Sequence, residues 1–171
     1  MILYYFDETP GLAELHIDAD TPEGICFDGL YLHGASFSRM VLNGASFVSS
    51  NLRGARMQEV EATYTNFTGA ELQQAELDQA TLSGSIFRNC RMLAVHFEGA
   101  NLSGADFSDA NMEAANFEGS DLRGAIMLSQ GLESSFFTGA KFDKYTVWPE
   151  GFKPLEHGAI LIEDEKRSTE V

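Results

Sequence analysis

Only two cysteines occur in 171 residues, so no disulfide framework can staple this chain together. Bases are equally scarce: 11 Lys and Arg stand against 26 Asp and Glu, for a net charge of −15. That balance excludes the basic footprint which direct nucleic-acid binding needs. No apolar run approaches the roughly eighteen residues of a membrane span, so no membrane contact is expected. The four histidines, His16, His33, His96 and His157, are scattered, with none at metal-ligand spacing. The glycines form no phosphate-loop pattern. No catalytic residue, metal ligand or cofactor site is therefore expected, and the chain does not read as an enzyme. Residues 1–24 lack the basic start of a secretory signal, the apolar stretch Ile2 to Phe6 being cut off at once by Asp7 and Glu8. A cytoplasmic location is the expectation.

What the chain has in abundance is a period of five. From Phe27 to Val147 every fifth residue is bulky and apolar, Ala62 excepted, over twenty-five consecutive units. Five matches neither the 3.6 of an amphipathic helix nor the 2 of a half-buried strand. Two residues before most of the twenty-five central residues stands a smaller one, Ala at twelve positions and Ser, Thr or Cys at six. Residues two apart in an extended segment share a face, so the large and the small residue both point inward. Two residues after the centre Gly is common, as at Gly29, Gly44 and Gly104, where a tight corner is expected. Each unit thus predicts a very short strand and a corner.

Grouped by four, the units acquire walls. Positions 27, 47, 67, 87 and 107 are all Phe, and positions 37, 97, 117 and 137 are Phe again. Leu and Met dominate the other two series. A twenty-residue superperiod predicts four units per coil, with two opposite aromatic walls, two aliphatic walls, and like stacked on like. With coils about 4.8 Å apart, some six of them make a square column roughly 29 Å long. Cys26 and Cys90 then lie about three coils apart, too far for a disulfide. Cys90 falls at a small inward position and Cys26 at an outward one. No inserted loop is expected in so regular a series.

Runs such as Ala100-Asn101-Leu102-Ser103-Gly104, Ala105-Asp106-Phe107-Ser108-Asp109 and Ser120-Asp121-Leu122-Arg123-Gly124 resemble the A(D/N)LXX signature of the pentapeptide repeat proteins. The segment Thr146 to Pro154 resembles the closing motif of many cyanobacterial members. The resemblance covers about 120 residues and implies an all-β fold, a right-handed quadrilateral parallel β-helix, or solenoid, capped at both ends. The expected organisation is an N-terminal cap over 1–24, the repeat body over 25–147, and a C-terminal cap with a solvated tail over 148–171. In the first cap Ile2 to Phe6 is expected as a strand, Thr9-Pro10-Gly11 as a turn, and Leu15 with Ile17 as an imperfect first coil. In the last, Trp148 and Phe152 are expected to plug the column, while Ala159 to Ile162 packs back or pairs with another copy. At the poor repeat Val60-Glu61-Ala62-Thr63-Tyr64, either Tyr64 or Val60 is expected to lean into the space left by Ala62, or a small void to remain.

Two surfaces qualify as interaction sites. On the wall of Phe37 and Phe97, Asp78, Glu98 and Glu118 fall in line one coil apart, with Glu76 and Glu59 on the same wall. Such a stripe suits a partner with a basic surface. On the wall of Phe47 and Phe107, Ile86, Ile126 and Leu128, with Trp148 beyond them, form a candidate apolar contact patch. The main expectation is a non-catalytic scaffold that binds another protein through its flat walls or ends, with a homodimer through the C-terminal end as one form of it. The resemblance also implies an alternative, an acidic DNA mimic that binds or inhibits DNA gyrase or another DNA-binding protein. A stable spacer within a larger assembly is the third reading.

Overall fold

The computed structural model describes residues 2–6, 12–16 and 24–163. From Cys26 onward, single-residue parallel bridges join each coil to the next: Cys26 to Ser46, Tyr31 to Asn51, Ser36 to Arg56 and Val41 to Glu61. The same twenty-residue step then repeats up the column. Four bridges per coil make four walls, and the fold is the expected right-handed quadrilateral β-helix. No helix among the described residues is long and apolar enough to cross a membrane.

Most units distribute their backbone N–H groups in the same way. The central residue and the corner residue both donate to the next coil, as Phe47 does to Asn66 (2.7 Å) and Ser49 to Thr68 (2.9 Å). The residue before the centre donates to the previous coil, as Ser46 does to Ile25 (2.8 Å). The residue after the corner closes a turn onto the central carbonyl, as Ser50 does onto Phe47 (3.1 Å). With positive φ at the corner, this is a type II β-turn. One N–H per unit, that of the residue after the centre, takes no part in the ladder.

Asp and Asn satisfy that orphan group. Placed before the centre, their side-chain oxygen accepts from the N–H two residues on: Asn51 from Arg53, Asn66 from Thr68, Asp106 from Ser108, Asp121 from Arg123. Placed after the centre, they accept from the orphan N–H one coil further along: Asp28 from Val48, Asn43 from Thr63 and Asp78 from Glu98. The preference for Asp or Asn before Leu or Phe is thus a backbone-capping preference.

The bore is filled by side chains. Phe27, Phe47, Phe67, Phe87 and Phe107 stack at centroid distances of 4.6, 5.1, 4.8 and 5.0 Å. Phe97, Phe117 and Phe137 stack at 5.3 and 5.2 Å on the opposite wall. The two stacks meet edge to face across the axis, for example Phe107 on Phe117 at 5.9 Å and 87°. Each such contact adds about 0.5–1.5 kcal/mol beyond area burial. Polar residues at the small inward position return a hydrogen bond to a central carbonyl: Thr65 to Leu42, Ser85 to Ala62 and Thr146 to Leu122. Buried Cys90 does the same to Phe67 O, and burial pushes its thiol up to about 12. Cys26 is exposed, in the first coil. At the poor repeat Val60 is fully buried beside Ala62, whereas Tyr64 stays outside, its ring lying over Gly84.

The last coil departs from the expected regularity. Asn111 pairs with Gln130, one residue early, and Asn116 pairs with Phe136, back in step. The slack is taken up by a short 3-10 turn, Leu132–Ser134, opened by Gly131 at φ 82°. A Cβ at Gly131 would lie 2.6 Å from the backbone nitrogen of Glu113, so this position needs glycine for space as well as conformation. Ile126 then pairs with Val147, one residue late. Val147, expected as a central residue, consequently faces outward and is 44% exposed, and Trp148 takes the inward place. Trp148 packs against Phe137 and Phe142 and stacks on Phe152 at 5.2 Å, closing the bore. The chain finally turns back, and strand β4 (Ile160–Leu161) adds to strand β3 (Lys141–Phe142) in parallel.

At the other end, strands β1 (Ile2–Phe6) and β2 (Leu12–His16) form an antiparallel hairpin. Leu15 pairs with Leu3 rather than starting a coil. Ile17, the expected turn at residues 9–11 and the tail from residue 164 lie outside the described residues.

Two outcomes follow from the backbone. Among the described residues, ten corner residues other than glycine have positive φ, one of them Ala94 at 52°. Ala94→Gly should stabilise the protein by about 0.5–1 kcal/mol, and Gly104→Ala, with open space around its Cβ, should cost about 1 kcal/mol. Urea unfolding of the two variants checks both signs. The second outcome concerns acid. Burial pushes Asp106 upward, but the Ser108 hydroxyl and amide and the Arg88 guanidinium together hold it below the usual carboxylate range. Asp28 is lowered chiefly by the Ser46 hydroxyl, and Asp121 chiefly by Arg123. Depressed carboxyls contribute stability above their unfolded pKa, near 4, that is lost as pH falls through the lower folded values. Unfolding followed from pH 6 to pH 2 should show that loss. Asp106→Asn, which keeps the bond to Ser108 N–H, should remove part of the pH dependence.

Candidate functional site

Each wall presents two outward columns, formed by the residues immediately before and after the central one. On the wall of Phe37 and Phe97 the first column reads Ser36, Arg56, Glu76, His96, Asn116 and Phe136, joined by successive bridges. The second reads Ser38, Gln58, Asp78, Glu98, Glu118 and Thr138. Neighbours lie about 4.8 Å apart along a column and about 6.5 Å apart between columns, so the surface is a flat grid.

The structure divides the predicted acidic stripe by task. Asp78 accepts from the Glu98 N–H at 3.0 Å and so caps the column. Glu59 stands at a corner and pairs with Arg39 at 2.9 Å, and the guanidinium holds its carboxyl below the usual range. Glu76 accepts a hydrogen bond from the Gln58 side-chain amide. The carboxylates of Glu98 and Glu118 have no hydrogen-bond or ion-pair partner among the described residues. Their backbone N–H groups are fixed by Asp78 and Asn116, at 3.0 and 2.9 Å. Two free charges on an immobile frame remain from the stripe of five.

The predicted apolar patch is also divided. Ile86 and Ile126 are half-buried and flank Asp106 in one column, where Asp106 is nearly buried and ion-paired to Arg88 at 2.6 Å. Leu128 is exposed. Trp148 is withdrawn from the wall into the terminal plug.

The larger apolar surface lies beyond that patch, and only its Ile160 and Leu161 fall in the segment expected to pack back or pair with another copy. Tyr145, Val147, Leu155, Ile160 and Leu161 are all exposed at the C-terminal end. There Phe142, Phe152, Pro154, Leu155 and Leu161 line a groove of about 400 Å³. Phe136, 55% exposed, is a second unforeseen feature, the one aromatic residue in a column otherwise filled by polar side chains. Its signal was present in the sequence as a bulky residue in an outward column, hidden beside central Phe137. The C-terminal return is anchored by His157, which stacks on Phe152 at 4.6 Å and bonds Glu133 at 3.2 Å. Among the described residues no three or more His, Cys, Asp or Glu are grouped to hold a metal ion.

Comparison with known proteins agrees with this geometry. Residues 67–145 match the model of a pentapeptide repeat region, and residues 25–61 match that of pentapeptide repeats in eight copies. None of the curated proteins compared matches the chain. Among solved structures, a pentapeptide repeat protein from the Arabidopsis thaliana thylakoid lumen is 30% identical over 53% of this chain and 66% of its own, with a TM-score of 0.48. HetL from the cyanobacterium Nostoc sp. strain PCC 7120, a pentapeptide repeat protein involved in heterocyst differentiation regulation, is 22% identical over 72% of this chain and 66% of its own, with a TM-score of 0.41. Full-length QnrB1, a plasmid-mediated fluoroquinolone resistance protein, is 18% identical over 83% of this chain and 85% of its own, with a TM-score of 0.36. This chain therefore spans just under two thirds of the first two proteins. On the two matched segments and the twenty-residue ladder, the chain belongs to the pentapeptide repeat proteins.

Proposed function

We propose that the protein is a non-catalytic scaffold that binds another protein through one wall and associates with a second copy through its C-terminal end. The observation that carries the first part is the pair Glu98 and Glu118, rigidly held and unused by the fold. Charges with no structural task on a flat, pre-organised surface suit a basic partner surface, because little ordering cost is added on binding. The apolar C-terminal end supports the second part. Leu155, Ile160 and Leu161 are 63%, 49% and 42% exposed in one small region, and among the described residues no strand pairs with the outer edge of β4.

Glu98→Gln with Glu118→Gln should abolish capture of the wall's partner from a lysate while leaving stability within about 0.5 kcal/mol of the parent. Full retention of every captured protein would exclude the wall. Light scattering after size exclusion should give a dimer that Leu155→Glu with Leu161→Glu converts to a monomer, and a parent that is monomeric at all concentrations would exclude self-association.

The net charge of −15 favours a second reading, an acidic DNA mimic directed at a topoisomerase. Against it, Glu59, Glu71, Asp106 and Asp121 are paired with arginines. A DNA gyrase supercoiling assay separates the readings: inhibition or protection at micromolar protein supports the mimic, and an unchanged rate excludes it.

A further inference from the structure

Phe136 interrupts a polar column, and the surface around it has a definite shape. The ring stands at the C-terminal end of the acidic wall. Beside it Asn116 and His96 continue the column, Glu118 lies in the parallel column one coil below, and Ala114 forms the adjoining corner. Together these five residues line a recess of about 300 Å³. Ala114 has a left-handed corner conformation, φ 55°, and its methyl group leaves open the space that a longer corner side chain would fill.

The recess is built on rigid parts. Phe136 donates its N–H to Ala115 O at 2.9 Å and accepts from Phe117 N–H at 2.8 Å, so the ring hangs from a ladder position. The Asn116 side-chain oxygen holds the Glu118 N–H at 2.9 Å, and the Ser134 hydroxyl accepts from the Ala114 N–H at 3.2 Å. That last bond comes from the 3-10 turn Leu132–Ser134, after which the ladder is back in step and Phe136 pairs with Asn116 in the outward column. The result is an exposed aromatic face beside a carboxylate that has no partner among the described residues.

We propose that this recess is a receptor for a single arginine side chain on an exposed segment of a partner protein. The guanidinium is planar and weakly hydrated, so it stacks on a ring while donating to a carboxylate. Phe136 supplies the ring and Glu118 the carboxylate. Ala114 makes room for the aliphatic stem, and Glu98, one coil below Glu118, adds a second negative charge nearby. A lysine ammonium gains the charge but not the stacking. A phosphorylated or acidic segment meets two carboxylates and is repelled. The proposal deepens the scaffold reading by naming what the acidic wall recognises.

The test uses three short synthetic peptides that differ only at one central residue, arginine, lysine or citrulline, in a Gly-Ser background. Binding to the full chain is followed by amide and methyl NMR. The arginine peptide should shift Ala114, Asn116 and Glu118 while leaving the wall of Ile86 unmoved. Citrulline, the same shape without charge, should bind about tenfold more weakly, and lysine several-fold more weakly. Phe136→Ala and Glu118→Gln should each reduce arginine binding about three- to tenfold, and Phe136→Tyr should restore it. Equal binding of arginine and citrulline, or shifts that fall elsewhere, would overturn the proposal. If Phe136→Ala loses peptide binding but still captures the wall's partner through Glu98 and Glu118, arginine recognition is not how that partner binds, and this inference fails while the scaffold reading stands. If the peptide binds as described but the wall captures no protein, the scaffold reading fails alone.

Discussion

Everything in this molecule depends on a parallel backbone ladder that returns to itself every twenty residues. A coil of four three-residue ledges and four corners has no hydrogen-bonding partner except the coil above and the coil below. Side chains are therefore sorted by position. Those pointing in must fill a bore of constant width, and those pointing out are released from filling it. The aromatic stacks follow from the same spacing, because a coil rise near 4.8 Å is close to the distance at which two rings lie comfortably face to face. Phe is thus a natural central residue, and a column of Phe adds cohesion along the axis that no single coil possesses.

One backbone group per unit escapes the ladder, and its treatment explains several acids at once. The N–H after each central residue faces outward, and an Asx side chain reaches it from either of two places. Asp28, Asp78, Asp106 and Asp121 are therefore acids of construction. Glu98 and Glu118, one methylene longer and without partners among the described residues, are acids of display. Composition alone counts them together, which is why net charge is a poor guide to how such a surface behaves.

The sequence showed the coil, its four walls and the inward residues plainly, since each is a property of period. It concealed the last coil, and the reason is arithmetic. The ladder loses one residue at Gln130 and regains it by Phe136, so the five-residue spacing of Leu132, Phe137 and Phe142 runs on undisturbed while the backbone beneath it shifts. The one-residue delay at Val147 exchanges the roles of Val147 and Trp148 in the same silent way. Both residues are apolar, so hydropathy could not tell plug from wall. The division of the acidic stripe was hidden for a different cause: it rests on side-chain reach, Asp against Glu, rather than on position. Phe136 was legible in principle, because a bulky residue in an outward column contradicts the rule that every other row of that column obeys.

The twenty-residue ladder also makes surface geometry a matter of modular counting. Adding one five-residue unit to the body would leave the inward pattern of large and small residues intact, yet turn everything beyond it by a quarter of a revolution. Phe136 and Glu118 would move together to a neighbouring face, still adjacent, but no longer above Asp78 and Glu76. Adding four units would return them to their original face one storey higher. Lineages with this architecture can thus vary orientation and reach separately, four-unit insertions keeping each aromatic stack in line and single-unit insertions setting aromatic positions above aliphatic ones.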